Sequence, residues 1–199
     1  MIIAVADRNA SIRPLVEQAG LVAEARPDMI ILKGEGMTEE EYVEAAKAIS
    51  DICRKNGVEF CASTFIEAAS SLGVKNICVP IEGLEGFVPA GFDKVLVHVQ
   101  SEKEATDAER RGASAVIFGN VFDLSCKSCR NAKGLATLRC LTGAVDIPTI
   151  GAGGILQDVF NEVLAAEAAG ICMTSGFMRS KDPVVVVKAY RDARARLRV

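Results

Sequence analysis

Short apolar runs recur along the chain, and each gives way to a stretch in which apolar residues return every three or four positions. The runs are Ile2–Ala6, Met29–Leu32, Val58–Cys61, Asn76–Val79, Lys94–His98, Ala115–Phe118, Pro148–Gly151 and Gly170–Met173. They are nearly continuous in Ile, Val, Cys and Ala, as strands of a parallel sheet buried on both faces are. The clearest intervening helix is 38–56, "TEEEYVEAAKAISDICRKN". Thr38 is its cap, Glu41 completes a capping box, and Gly57 stops it. Tyr42, Ala45, Ala46, Ile49 and Ile52 fall on one stripe. Ser101–Gly112 repeats the design, with Ser101 as cap and Glu104 three residues on. Asp182–Leu197 is the last helix, with Pro183 in its first turn. The segment 81–93, "IEGLEGFVPAGFD", reads as a loop with one short turn. Regular alternation of strand and helix leaves two architectures, an open doubly wound sheet or an eight-fold barrel. Eight units without a linker or charge block favour the α/β class as a (β/α)8 TIM barrel, one domain over residues 1–199.

In such a barrel the chemistry sits where strands end and βα loops begin. The most informative loops are "PTIGAGGI", 148–155, and "GICMTSG", 170–176. Gly151, Gly153 and Gly154 follow the seventh strand; Thr174, Ser175 and Gly176 follow the eighth. Loops at these two strands commonly bind phosphate, because glycine lets backbone N–H groups approach an anion closely. The competing reading is a tight turn that needs glycine for its backbone alone. Lys33 and Lys127 lie beyond strand ends on the same side, where each is either an anion ligand or a solvated lysine. His98, the single histidine, ends the fifth strand. It is either a proton carrier near neutral pH or a structural histidine in apolar surroundings.

Composition narrows the classes further. Of 199 residues, 50% are hydrophobic and 25% charged, with a net charge of −3. No basic face points to nucleic acid; the run 191–198, "RDARARLR", reads as a solvated helix face. No run approaches the roughly 18 apolar residues of a membrane span. The opening "MIIAVAD" turns polar too early for a signal peptide. A soluble, cytoplasmic protein without membrane or nucleic-acid partner is expected, with its oligomeric state, including a homo-oligomer, left open. The seven cysteines are scattered, mostly among apolar neighbours, as small buried hydrophobes are. Cys126 and Cys129 have CxxC spacing, but no second pair supports zinc, and their place after the sixth strand does not suit a thioredoxin-type motif.

The order of these pieces resembles the thiamine phosphate synthase family and its relative TenI, the thiazole tautomerase. The resemblance runs from about Met29 to Pro183. It is carried by 32–60, "LKGEGMTEEEYVEAAKAISDICRKNGVEF"; 101–127, "SEKEATDAERRGASAVIFGNVFDLSCK"; 134–155, "GLATLRCLTGAVDIPTIGAGGI"; and 169–183, "AGICMTSGFMRSKDP". It implies a (β/α)8 barrel and a thiazole phosphate held by Gly153, Gly154, Thr174 and Ser175. It also implies a role for Lys127, which matches the lysine closing the loop after strand six. The synthase joins a pyrimidine pyrophosphate to a thiazole phosphate with Mg²⁺; the tautomerase shifts a proton on a thiazole carboxylate phosphate.

Several positions depart from the pattern. Ser63-Thr64-Phe65 stands where the synthase has a metal-binding aspartate and an arginine. Cys78–Gly83 keeps Glu82, but Gly83 takes the place of a second metal aspartate. Glu35 replaces a lysine after strand two. Asn120 replaces the tautomerase's catalytic histidine, and an amide exchanges no proton near neutral pH. The expectation is therefore a divergent member that keeps the phosphate cup, lacks a metal site, uses Mg²⁺ only if it retains synthase activity, and has His98 in the place of the missing base. A non-catalytic binding or regulatory relative that keeps the phosphate cup is a second reading. Another phosphate-binding barrel aldolase or isomerase, such as a Schiff-base aldolase of the 2-keto-3-deoxy-phosphogluconate type with Lys33 as its one plausible lysine, is a third.

Overall fold

Eight parallel strands pair in sequence order, and the last returns to the first. The computed structural model describes residues 1–84, 91–122 and 133–197. The strands are β1 (Ile2–Ala6), β2 (Met29–Leu32), β3 (Glu59–Ala62), β4 (Asn76–Pro80), β5 (Lys94–Val99), β6 (Ala115–Gly119), β7 (Thr149–Ala152) and β8 (Gly170–Met173). Ile2 pairs with Ile171 and Ala4 with Met173, so the sheet closes and the open-sheet alternative is excluded. The described helices are α1 (Leu15–Glu24), α2 (Glu39–Asn56), α3 (Ile66–Ser71), α4 (Glu102–Arg110), α5 (Lys133–Ala144), α6 (Phe160–Ala165), α7 (Ser175–Met178) and α8 (Pro183–Arg196). Short 3-10 turns lie at Arg8–Ala10, Ile81–Leu84 and Gln157–Val159.

The boundaries follow from local chemistry. Thr38 and Glu41 form the capping box, with Glu41 N–H to Thr38 Oγ1 at 3.2 Å and Thr38 N–H to the Glu41 carboxylate at 3.0 Å. Gly57 closes α2 in the left-handed conformation, φ +69°. Val58 N–H then donates to Cys53 O at 2.9 Å. That bond takes Val58 into the helix cap, so β3 starts one residue later than its apolar pattern predicts. Pro148 has no N–H for the ladder, so β7 begins at Thr149. At α4, Ser101 Oγ accepts from Glu104 N–H, but the Glu104 carboxylate accepts from Gln100 N–H at 2.8 Å. The second half of the expected box has moved back by one residue. On α2 the buried stripe is Tyr42, Ala46, Ile49 and Cys53; Ala45 and Ile52 are half-buried.

Alternation along each strand divides the core in two. Ile3, Met29, Ile31, Cys61, Cys78, Leu96, Ala115, Ile117, Ile150 and Cys172 fill the barrel interior. Their neighbours, including Ile2, Ala4, Ile30, Leu32, Val97 and Val116, pack outward against the helices. The interior is thus a packed plug, and its next inward step at the C-terminal end is the floor of a cleft. Cys61, Cys78 and Cys172 belong to this plug; burial pushes the Cys172 thiol up to about 12 and the other two upward as well. Cys140 departs from the expected burial and is exposed. No helix among the described residues is long and apolar enough to cross a membrane.

Candidate active site

At the C-terminal mouth a cleft of about 490 Å³ opens between the loops. Its walls bring together Lys33 after β2, His98 and Gln100 of and after β5, Asn120 after β6, Gly153 and Gly154 after β7, and Thr174 and Ser175 after β8. Strand parity explains the grouping. Lys33 continues the inward series Met29–Ile31, His98 continues Leu96, and Thr174 continues Cys172. Gly151 has the opposite parity. A Cβ there would meet Val163 at 3.0 Å and Leu138 at 3.4 Å, so it serves packing of β7 against the helices and does not line the cleft. Gly176 lines a neighbouring groove beside Arg179. Lys127, Cys126 and Cys129 lie outside the described residues.

Gly153 and Gly154 adopt φ of +81° and +66°. A Cβ on Gly153 would collide with Asn120, and one on Gly154 would sit 2.5 Å from Phe122 O. The loop after β6 presses against these two glycines and also bonds to them: Val121 N–H donates to Ala152 O at 2.8 Å and Phe122 N–H to Gly153 O at 3.2 Å. Both glycines are therefore required by backbone shape and close approach, as the turn reading anticipated. The same geometry leaves the N–H groups of Gly153, Gly154 and Ser175 without an acceptor among the described residues. Three donors without an acceptor among the described residues then stand in the walls of one polar cleft.

Across the cleft Lys33 is held by two carboxylates. Its Nζ lies 3.6 Å from Asp7 Oδ2 and pairs closely with the Glu35 carboxylate. The hydrogen bond to Glu35 leads in raising the Lys33 pKa and lowers that of Glu35. Asp7 is buried and also accepts from Asn9 N–H at 2.9 Å. His98 presents its ring to the cleft. The surrounding barrel wall removes enough water, with the Lys33 charge adding to it, to push the imidazole below its usual value. His98 is thus a neutral imidazole at pH 7, with a protonated lysine in electrostatic reach.

The exits of β3 and β4 are of a different kind. Thr64 Oγ1 accepts from Gly34 N–H at 3.1 Å, and Ser63 N–H donates to Leu32 O at 3.1 Å. The buried Tyr42 hydroxyl donates to Leu32 O and accepts from Ser63 N–H, tying the exits of β2 and β3 together. Glu82 is exposed on its turn and does not line the cleft. Among the described residues no three of His, Cys, Asp or Glu gather as a metal site. Ser63 and Thr64 present no carboxylate to a Mg²⁺ ion, which takes one or two beside substrate phosphates. Ile155 and Leu156 add an apolar lip to the cleft. Their signal was the apolar pair directly after the glycines.

Comparison with known proteins agrees with this fold. The family model described as thiamine monophosphate synthase matches residues 2–177. Curated relatives include the thiamine-phosphate synthases of Coprothermobacter proteolyticus, 28% identical over 90% of this chain and 87% of that protein, and of Bacillus velezensis, 29% identical over 80% and 74%. Among solved structures, thiamine phosphate pyrophosphorylase from Pyrococcus furiosus has a TM-score of 0.84 at 24% identity, covering 98% of this chain and 95% of that one. A 3-hexulose-6-phosphate synthase shares the fold with a TM-score of 0.70 at 20% identity, over 97% and 99%. The closed barrel and the near full-length match lead to one conclusion: the chain belongs to the thiamine monophosphate synthase family.

Proposed function

We propose that this protein binds a phosphorylated small heterocycle of the thiazole phosphate type, with the phosphate on the loops after β7 and β8. One observation carries the reading: Gly153, Gly154 and Ser175 line a polar cleft, and their N–H groups have no acceptor among the described residues. A phosphate supplies the acceptors those donors lack. His98 then faces the heterocycle as a neutral base, Asn120 stands beside it as a hydrogen-bonding amide, and Lys33, paired with Asp7 and Glu35, lines the same cleft. Lys127, named by the family resemblance, belongs to the same proposal.

The half of the cleft that would hold Mg²⁺ and pyrophosphate is poorly furnished. Ser63 and Thr64 are occupied in the backbone of the β2–β3 exits, and Lys33 is already neutralised by Asp7 and Glu35. Losing one charged contact at such a centre costs about 3 kcal/mol. Coupling of pyrimidine pyrophosphate to thiazole phosphate is expected to run at least about a hundredfold below that of a synthase relative. The names of the curated relatives favour the second reading, a working Mg²⁺-dependent synthase.

Titration with thiazole phosphate, followed by the coupling assay with pyrimidine pyrophosphate and Mg²⁺, separates the two. Binding with negligible coupling supports the proposal. Coupling at a relative's rate establishes the synthase instead. A chain that binds no phosphate compound loses the cup assignment altogether.

A further inference from the structure

Gln18 is a polar side chain with 0% exposure, set among the apolar residues of α1. A buried amide needs partners, and these are specific. Its Nε2 donates to Phe177 O at 2.8 Å and to Ser180 O at 3.0 Å. Its Oε1 accepts from Arg13 Nη1 at 2.5 Å, and the same nitrogen reaches Ser180 O at 3.4 Å. Ile12 N–H adds a bond to Met178 O at 3.1 Å. The start of the chain's first helix and the turn before it are thus fastened to residues 177–180. That segment follows directly on Thr174 and Ser175, whose place in the cleft it fixes. The bonds from Phe177 and Met178 N–H back to Thr174 O, at 3.1 and 2.8 Å, complete the connection.

We infer that Gln18, with Arg13 behind it, is a positioning residue for the phosphate loop after β8. It touches no ligand; it sets where the Thr174–Ser175 backbone stands relative to Gly153 and Gly154. Hydrogen-bond donors lose most of their value when displaced by about 1 Å, so a slackened loop weakens anion binding before it unfolds the barrel. The inference rests on the proposed phosphate site.

Inorganic phosphate titrated by NMR, following the amides of Gly153, Gly154 and Ser175, is the test. Gln18→Met removes both donors at similar volume. Val22→Ala, one turn further along α1 and also buried, is a control that destabilises the barrel without removing any of these hydrogen bonds. Both are measured well below their melting temperatures. The expected result is about a tenfold weaker phosphate affinity in Gln18→Met, with Val22→Ala at the wild-type affinity. The milder Arg13→Met, on a partly exposed side chain, gives a smaller loss in the same direction and stands in if Gln18→Met does not fold. Wild-type affinity in Gln18→Met, or in Arg13→Met where that variant stands in, overturns the positioning role alone. Equal loss in the Val22→Ala control also overturns it. A wild-type protein that binds no phosphate overturns the site and this inference together.

Discussion

His98 has the properties of a base that is ready at neutral pH. Desolvation by the barrel wall first, and Lys33 second, hold its imidazole below the usual 6.5. In the unfolded chain the same ring takes up a proton near 6.5, so the unfolded state binds more protons below that pH. Stability from this group is complete above about 6.5 and is lost as pH falls through the folded value. His98→Gln should remove that part of the acid sensitivity. Thermal melts at pH 7.5 and 5.5 are expected to show a smaller loss on acidification for the variant than for wild type; equal losses would sink the assignment. If His98 also moves the proton in catalysis, the variant keeps phosphate binding and loses turnover.

Gly154 carries two demands at once. Its φ of +66° is costly for a side chain, and a Cβ would lie 2.5 Å from Phe122 O. Gly154→Ala is expected to cost about 1–3 kcal/mol of stability and to weaken phosphate binding. Chemical denaturation and phosphate titration of the same sample read both. An alanine variant with unchanged stability would show that the loop has room to shift.

Among the elements, α2 shows how much local sequence decides. Its reciprocal capping box, its left-handed Gly57 and most of its buried stripe were written in 38–57. Thr38→Ala should lower stability by about 1 kcal/mol, with Thr38→Ser close to wild type, as read by urea denaturation. The helix also bears on the mouth, since Glu41 pairs with Arg8 at 3.2 Å just outside the Lys33 cluster. The loop elements were less legible. Gly151 and Gly153 look alike in sequence, and only strand parity sends one to the helices and the other to the cleft. Gln18 reads as an ordinary polar position, because its acceptors lie some 160 residues away in the chain.

For the molecule as a whole, the strands were legible because each is buried on both faces, which leaves a nearly unbroken apolar run. Closure was not written in any one run. It depends on β1 and β8 finding each other, a contact between the two ends of the pattern. The mouth was predictable as a place, since strand ends define it. Its electrostatics were not: that Lys33 is engaged by Asp7 and Glu35 follows from the meeting of two loops.

The pairing of Ile2 with Ile171 also has a consequence in time. During synthesis β1 is made long before its last partner. At about 5–20 residues per second, it waits on the order of ten seconds with one unsatisfied edge. The ring becomes a barrel only when β8 arrives, so the loops that complete the cleft are among the final parts to take shape. A nascent chain halted before β8 would hold most of the strands and a site without its Thr174–Ser175 wall.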